Sequence, residues 1–212
     1  MALLPLTLAE RADAVGGDPC STCGACCRGY YVPISGFDLW RISRATGLDP
    51  SDFVVAFGQE ASAPLAFRLR KDGEAYELAL DKQGAFAVGQ PCIFLDELAG
   101  GVTRCRVYAA RPGVCRAYPM KPDAAGRMAL RPGALCPSGS WAEDEARHPR
   151  WRAAWQTVAD DMERYGQIVT AWNAQVDAHP GLVLSLGQYV DHVLSVYDRL
   201  ADRLPESALA AT

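Results

Sequence analysis

Apolar and polar positions alternate most regularly in the last third of the chain. Trp151, Trp155, Val158, Met162, Tyr165, Val169, Trp172 and Val176 recur in steps of four and three. That spacing puts them on one face of a long α-helix. His179-Pro180-Gly181 supplies the stop. A second stripe runs through Leu186, Val190, Val193, Tyr197, Leu200 and Leu204. Two such helices with a short connection predict an antiparallel helical hairpin. Aromatic stripes at helical spacing usually form core, so Trp151, Trp155 and Trp172 are expected to pack rather than to make a binding platform.

Earlier in the chain the elements shorten. Ser35 is placed to cap a helix over Phe37–Ala45 that stops at Gly47. Asp49-Pro50 offers an N-cap and a first-turn proline for a second short helix. Phe67 and Leu69, then Tyr76, Leu78 and Leu80, alternate with polar residues around Asp72-Gly73, which predicts a β-hairpin. Phe86 and Val88 are expected to add a third strand after the turn at Asp81–Gly84. Cys92-Ile-Phe-Leu95 and Val102–Arg104 flank Gly100-Gly101 and predict another hairpin, with Cys92 at one end and Cys105 at the other. The fold class is α+β. Residues 1–19 form a helix-like lead closed by Gly16-Gly17-Asp18-Pro19. Residues 20–140 form an irregular cysteine-rich domain. Residues 141–212 form the helical hairpin, packed on it or extending from it.

Composition bounds the setting. Half of the 212 residues are hydrophobic, 22% are charged and the net charge is −4, the profile of an ordinary globular chain with no global attraction to nucleic acid. No apolar stretch approaches the roughly 20 residues of a membrane span. The first ten residues have no basic region and are broken by Pro5, which does not read as a signal peptide. A reducing cytoplasm is the expected compartment, and there clustered cysteines hold metal or do redox chemistry rather than pair as disulfides.

The eight cysteines carry the chemistry. Four crowd into Cys20-Ser-Thr-Cys23-Gly-Ala-Cys26-Cys27, and Cys92, Cys105, Cys115 and Cys136 follow. The short spacing lets neighbouring turns aim several sulfurs at one metal, and Gly24 tolerates positive φ. Cys20, Cys23 and Cys26 repeat the C-x-x-C-x-x-C run of bacterial ferredoxins, in which a remote cysteine followed by proline completes a cluster. Cys136-Pro137 is placed to be that ligand, leaving Cys27, Cys92, Cys105 and Cys115 as a second set. The zinc alternative pairs two CxxC-like knuckles in closed four-coordinate sites. Both metals stay open: a [4Fe-4S] cluster or Zn2+. A leftover reactive thiol would be Cys27, or Cys115 beside Arg116.

From Arg104 to Arg131 there are seven bases against one acid, Asp123. Arg104, Arg106, Arg111 and Arg116 are expected to offset thiolate charge and hydrogen-bond sulfur; an anion site and a solvated basic face are the alternatives. His148, His179 and His192 lie outside the cysteine-bearing region and read as helix-end or surface residues. No P-loop, G-x-G-x-x-G after a strand, H-E-x-x-H or G-x-S-x-G is present, which removes the usual nucleotide, dinucleotide, zinc-protease and serine-hydrolase readings.

The ordered motifs resemble a known family. Cys20-x-x-Cys23-x-x-Cys26-Cys27, Pro91-Cys92-Ile-Phe-Leu, Cys105-Arg-Val-Tyr108-Ala-Ala-Arg111-Pro112-Gly-Val-Cys115-Arg116-Ala-Tyr118-Pro119 and Leu135-Cys136-Pro137 are similar to the CxxCxxCC (YkgJ-like) cysteine-cluster family of zinc- or iron-chelating proteins. The resemblance spans roughly residues 20–140 and matches all eight cysteines. Val107 stands where that family usually has isoleucine. Membership implies metal binding without a reaction. Flagellin lysine N-methylases share a related pattern, and that relation implies an iron–sulfur cluster with S-adenosylmethionine. Three functions follow as expectations: a redox or electron-transfer iron–sulfur protein with a protein partner, a methyltransferase-like enzyme, and a zinc-stapled interaction module.

Overall fold

A computed structural model describes residues 23–98, 102–137, 140–142 and 145–202. The expected lead over residues 1–19, Cys20, Gly100-Gly101 and Leu204 lie outside the described residues.

The architecture is α+β. Helix α1 (Ala25–Gly29) starts at Gly24, which sits at φ 62°. A Cβ at Gly24 would stand 2.5 Å from the Thr103 hydroxyl, so both the backbone angle and the close approach require glycine. Helix α2 (Gly36–Thr46) matches its sequence signals. The Ser35 hydroxyl accepts from the Asp38 N–H, the Asp38 carboxylate accepts from the Ser35 N–H, and Gly47 ends the helix at φ 67°.

The second helix expected after Asp49-Pro50 is only a single 3-10 turn, Pro50–Asp52. The chain then enters β1 (Val54–Gln59), a strand that the sequence reading does not assign. The predicted hairpin is present as β2 (Phe67–Arg68) and β3 (Ala75–Leu80), but β2 contributes only two residues. The main partner of β3 is β1, antiparallel from Val54↔Leu80 to Gln59↔Ala75, so the sheet order is β1-β3-β2. No strand forms at Phe86 and Val88. Gly84 and Gly89 both take positive φ, 80° and 94°, and keep the segment in turns. Phe86 packs its ring on Tyr31 instead, while Val88 is 64% exposed.

Strands β4 (Leu95–Glu97) and β5 (Thr103–Cys105) form the second expected hairpin, with Leu95 opposite Cys105. Cys92 precedes it and bridges to Lys82, so Cys92 is not its end residue. Helix α3 (Gly113–Ala117) and a further hairpin, β6 (Met120–Pro122) with β7 (Met128–Leu130), complete the cysteine region.

Helix α4 (Pro149–Ala178) and helix α5 (Leu186–Ala201) are the two predicted C-terminal helices. His148 caps the first and accepts from the Arg150 N–H, and His179 follows its last turn. A Ser185/Gln188 capping box opens the second. Trp151, Val158, Tyr165, Val169, Trp172 and Val176 are buried as the stripe requires, while Trp155 and Met162 are half-buried. The helices run antiparallel. The Trp172 ring meets Tyr189 early in α5, while Tyr165, a turn or two back along α4, shares the surroundings of Gly36 with Val193 and Tyr197. An added Cβ at Gly36 would come within 2.6–2.9 Å of those three side chains, so α2, α4 and α5 meet at this glycine. The Phe67 ring stacks on Tyr189 at 3.8 Å, the Trp172 indole donates to Arg68 O at 2.7 Å, and Asn173 bridges Ala66 and Arg68. The helices are thereby fastened to the sheet. No helix among the described residues is long and apolar enough to cross a membrane.

Candidate metal centre

The short helix α1 divides the cysteines. Cys23, Cys26 and Cys136 line a narrow recess with Tyr118. Cys27, the very next residue after Cys26, belongs to a different neighbourhood. Its carbonyl accepts from the Cys92 N–H at 2.9 Å, and its charge is felt by the thiols of Cys92, Cys105 and Cys115. Cys27, Cys92, Cys105 and Cys115 thus act on one another, Cys23, Cys26 and Cys136 line one recess, and Cys26 joins the two through its hydrogen bond to Cys27. Among the described residues, none of the seven cysteines is in a disulfide. Among the described residues, no three His, Cys, Asp or Glu side chains stand close enough together to hold a single metal ion.

The thiols differ sharply in acidity. The hydrogen bond from Cys26 lowers Cys27 to about 7 against the opposing effect of burial, with help from Lys82, Arg28 and Arg111. Burial pushes Cys92 up to about 11 and Cys105 up to about 12, and Cys115 well above its ordinary value. Backbone N–H groups two residues on, from Phe94 and Val107, offset part of that burial at Cys92 and Cys105. Three thiols that burial keeps protonated have no acid–base use of their own. Amide donors aimed at their sulfurs are what a coordinated thiolate accepts, and a coordinating metal removes the proton outright. The donor set thus fits a soft metal.

Lys82 is the functional residue that sequence reasoning missed. It is 2% exposed, and its ammonium donates to the carbonyls of Cys27 at 2.9 Å, Tyr30 at 2.7 Å and Arg28 at 3.4 Å. These carbonyls close the C-terminal end of α1. Burial lowers the Lys82 ammonium, and Cys92, Cys27 and Cys26 act to raise it. A buried cation facing sulfur is the charge complement of a thiolate centre. In the sequence it sits in Asp81-Lys82-Gln83-Gly84, which reads as a solvated turn.

The four arginines divide. Arg111 lies over the Tyr108 ring at 4.3 Å, and its charge lowers Cys27, Cys105 and Cys115. Arg106 acts on Cys92, donates to Ile93 O, and stands 3.4 Å from Asp96. Arg104 pairs with Asp96 at 3.7 Å. Arg116 donates to the carbonyls of Ala109 at 2.6 Å and Arg111 at 3.2 Å. Burial, with Arg41 next to it, lowers Arg116 to about 10.

Clustered, buried, amide-supported thiols with an enclosed cation define a cysteine-based metal-chelating domain. Residues 19–137 match the model of the CxxCxxCC family, whose description reads "Putative zinc- or iron-chelating domain". The chain belongs to that family. No curated protein and no solved structure matches it.

Proposed function

We propose that the chain is an iron–sulfur protein with a redox or electron-transfer role, working in a reducing compartment with a protein partner. Cys20, Cys23, Cys26 and Cys136 would hold one centre. Cys27, Cys92, Cys105 and Cys115 would hold a second, with Lys82, Arg106 and Arg111 offsetting its charge. When bound, such a cluster supplies one-electron chemistry. The chain's own residues bury the thiols, aim the Phe94 and Val107 amides at sulfur and hold a cation beside them.

One observation carries the reading: the Phe94 and Val107 amides reach the sulfurs of Cys92 and Cys105, and the Lys82 ammonium is enclosed beside them. Hydrogen bonds to sulfur and nearby charge are the means by which a protein sets a cluster's potential. Anaerobic purification with iron, sulfide and zinc analysis and a visible spectrum tests the reading. Iron and acid-labile sulfide in equal amounts, with a broad absorbance bleached by dithionite, are expected. Stoichiometric zinc with no chromophore would make the protein a zinc-stapled module instead.

A further inference from the structure

A cavity of about 250 Å3 opens beside the cysteines. Cys26, Cys27 and Cys115 line one side, whereas Cys92 and Cys105 do not reach it. A centre held among the four buried thiols is therefore set back from the cavity behind Cys27 and Cys115.

Tyr30, Tyr31, Tyr118 and Trp155 supply ring surface beside aliphatic side chains such as Val32 and Val114, and the polar ends of Tyr30, Tyr118 and Trp155 are engaged with backbone. The Trp155 indole donates to Met120 O. The Tyr30 hydroxyl donates to Gly133 O at 2.7 Å, and the Tyr118 hydroxyl accepts from the Leu135 N–H at 2.6 Å. Tyr31 is locked by stacking on Phe57 and Phe86. What remains toward the cavity is ring surface, held rigid. Such surface takes a flat, apolar guest at little cost in side-chain ordering. The volume is at the small end of ligand sites, room for one or two rings.

Arg131 decides the charge of that guest. It lines the same cavity, is exposed, and lies over the Tyr30 ring at 5.0 Å, a contact that fixes the guanidinium in place. No carboxylate pairs with it among the described residues. An aromatic box alone would suit a quaternary ammonium, but a fixed guanidinium repels one. A guanidinium fork suits a carboxylate, which it can grip with two parallel hydrogen bonds.

We propose that this cavity binds a small planar aromatic carboxylate, its ring against Trp155, Tyr31 and Tyr118 and its carboxylate on Arg131. The binding does not depend on which metal the thiols hold. The test uses the full chain as isolated, titrated with benzoate and 2-naphthoate by calorimetry and tryptophan fluorescence. The neutral 2-naphthylmethanol and a naphthyl trimethylammonium salt are the comparison probes. Saturable binding of at least one carboxylate, tighter than either comparison probe, is expected. Arg131→Met should weaken it at least about 10- to 100-fold, the loss that removing even one charge-assisted hydrogen bond implies, and leave 2-naphthylmethanol unaffected. Trp155→Phe should remove the ligand-induced quench while the heat of binding persists. Arg131 is exposed, so an unchanged circular dichroism spectrum is expected to accompany the loss. Failure of both carboxylates to bind, equal or better binding of the ammonium salt, or an Arg131→Met affinity equal to wild type would overturn the proposal.

Discussion

Replacing Lys82 by methionine isolates what a buried cation does beside the thiols. Methionine fills much of the same volume, carries no charge and donates nothing. The change leaves the Tyr30 carbonyl, bonded at 2.7 Å, without its donor and removes one of two donors from the Cys27 carbonyl, which keeps the Cys92 N–H; the longer contact to Arg28 at 3.4 Å disappears with them. A buried acceptor left unpaired costs about 1–3 kcal/mol at Tyr30, and the lost second bond at Cys27 adds about 1 kcal/mol, so the two short bonds represent roughly 2–4 kcal/mol. Against that stands the desolvation of the ammonium, which the folded protein no longer bears once the lysine is gone; an effective few kcal/mol returns this way. The net expectation for Lys82→Met is a destabilisation of about 1–2 kcal/mol. Urea unfolding followed by circular dichroism, at matched metal content, measures it. Lys82→Gln separates hydrogen bonding from charge, since the amide keeps donors but no positive charge. Its stability should lie between wild type and Lys82→Met, while bound metal falls in both variants. The reasoning fails if Lys82→Met unfolds within about 0.5 kcal/mol of wild type and keeps all its metal, the range of an ordinary surface substitution.

Two further outcomes follow from the site and from the helices. Cys26→Ser and Cys136→Ser should remove the same spectroscopic feature, because their sulfurs line one recess; Cys27→Ser and Cys92→Ser should remove a different one. Electron paramagnetic resonance of the reduced variants checks this, and identical spectra from Cys136→Ser and Cys92→Ser would show a single centre. Asp161, 8% exposed on α4, has its carboxyl raised from 3.8 to about 6, first by burial and then by Asp38. The folded protein holds that proton more tightly than the unfolded chain, so this group's contribution is best at low pH and is lost as pH rises through about 6. Asp161→Asn should therefore raise the melting temperature at pH 7 more than at pH 4.5, and an equal change at both would count against the assignment.

How much of this was legible in the chain depended on whether the cause is local. The cap of α2 and the stop at His179 lie within a few residues of what they control, and they were readable. Strand β1 was not. Val54-Val55-Ala56-Phe57 has no clean alternation, its side chains are buried, half-buried and exposed in an irregular order, and its pairing with β3 is long-range. The surplus of bases after Arg104 was visible, but its acidic partner lies outside that window: Asp96 faces Arg104 across the β4–β5 register. Lys82 shows the limit most clearly. Nothing within its own turn marks it for burial, and its bonding partners lie 52 to 55 residues away.

The adjacency of Cys26 and Cys27 takes on a mechanical sense in this setting. One residue step along α1 separates the recess of Cys23 and Cys136 from the buried group of Cys92, Cys105 and Cys115. Successive side chains on a helix point about 100° apart, so Cys26 can reach the recess while Cys27 turns toward Cys92. The step is also held firmly. The Cys27 carbonyl takes both the Cys92 N–H and the Lys82 ammonium, and Gly24 seats the start of the helix against Thr103. A displacement of either thiol group must pass through this turn to reach the other. The Cys26 thiol already donates toward Cys27 and lowers its pKa more than any nearby cation does. Removing the Cys26 proton, as coordination does, would cancel that donation and set a second negative charge beside Cys27. On the proposed reading, filling the recess would therefore change the charge that Cys27 presents to Cys92, Cys105 and Cys115.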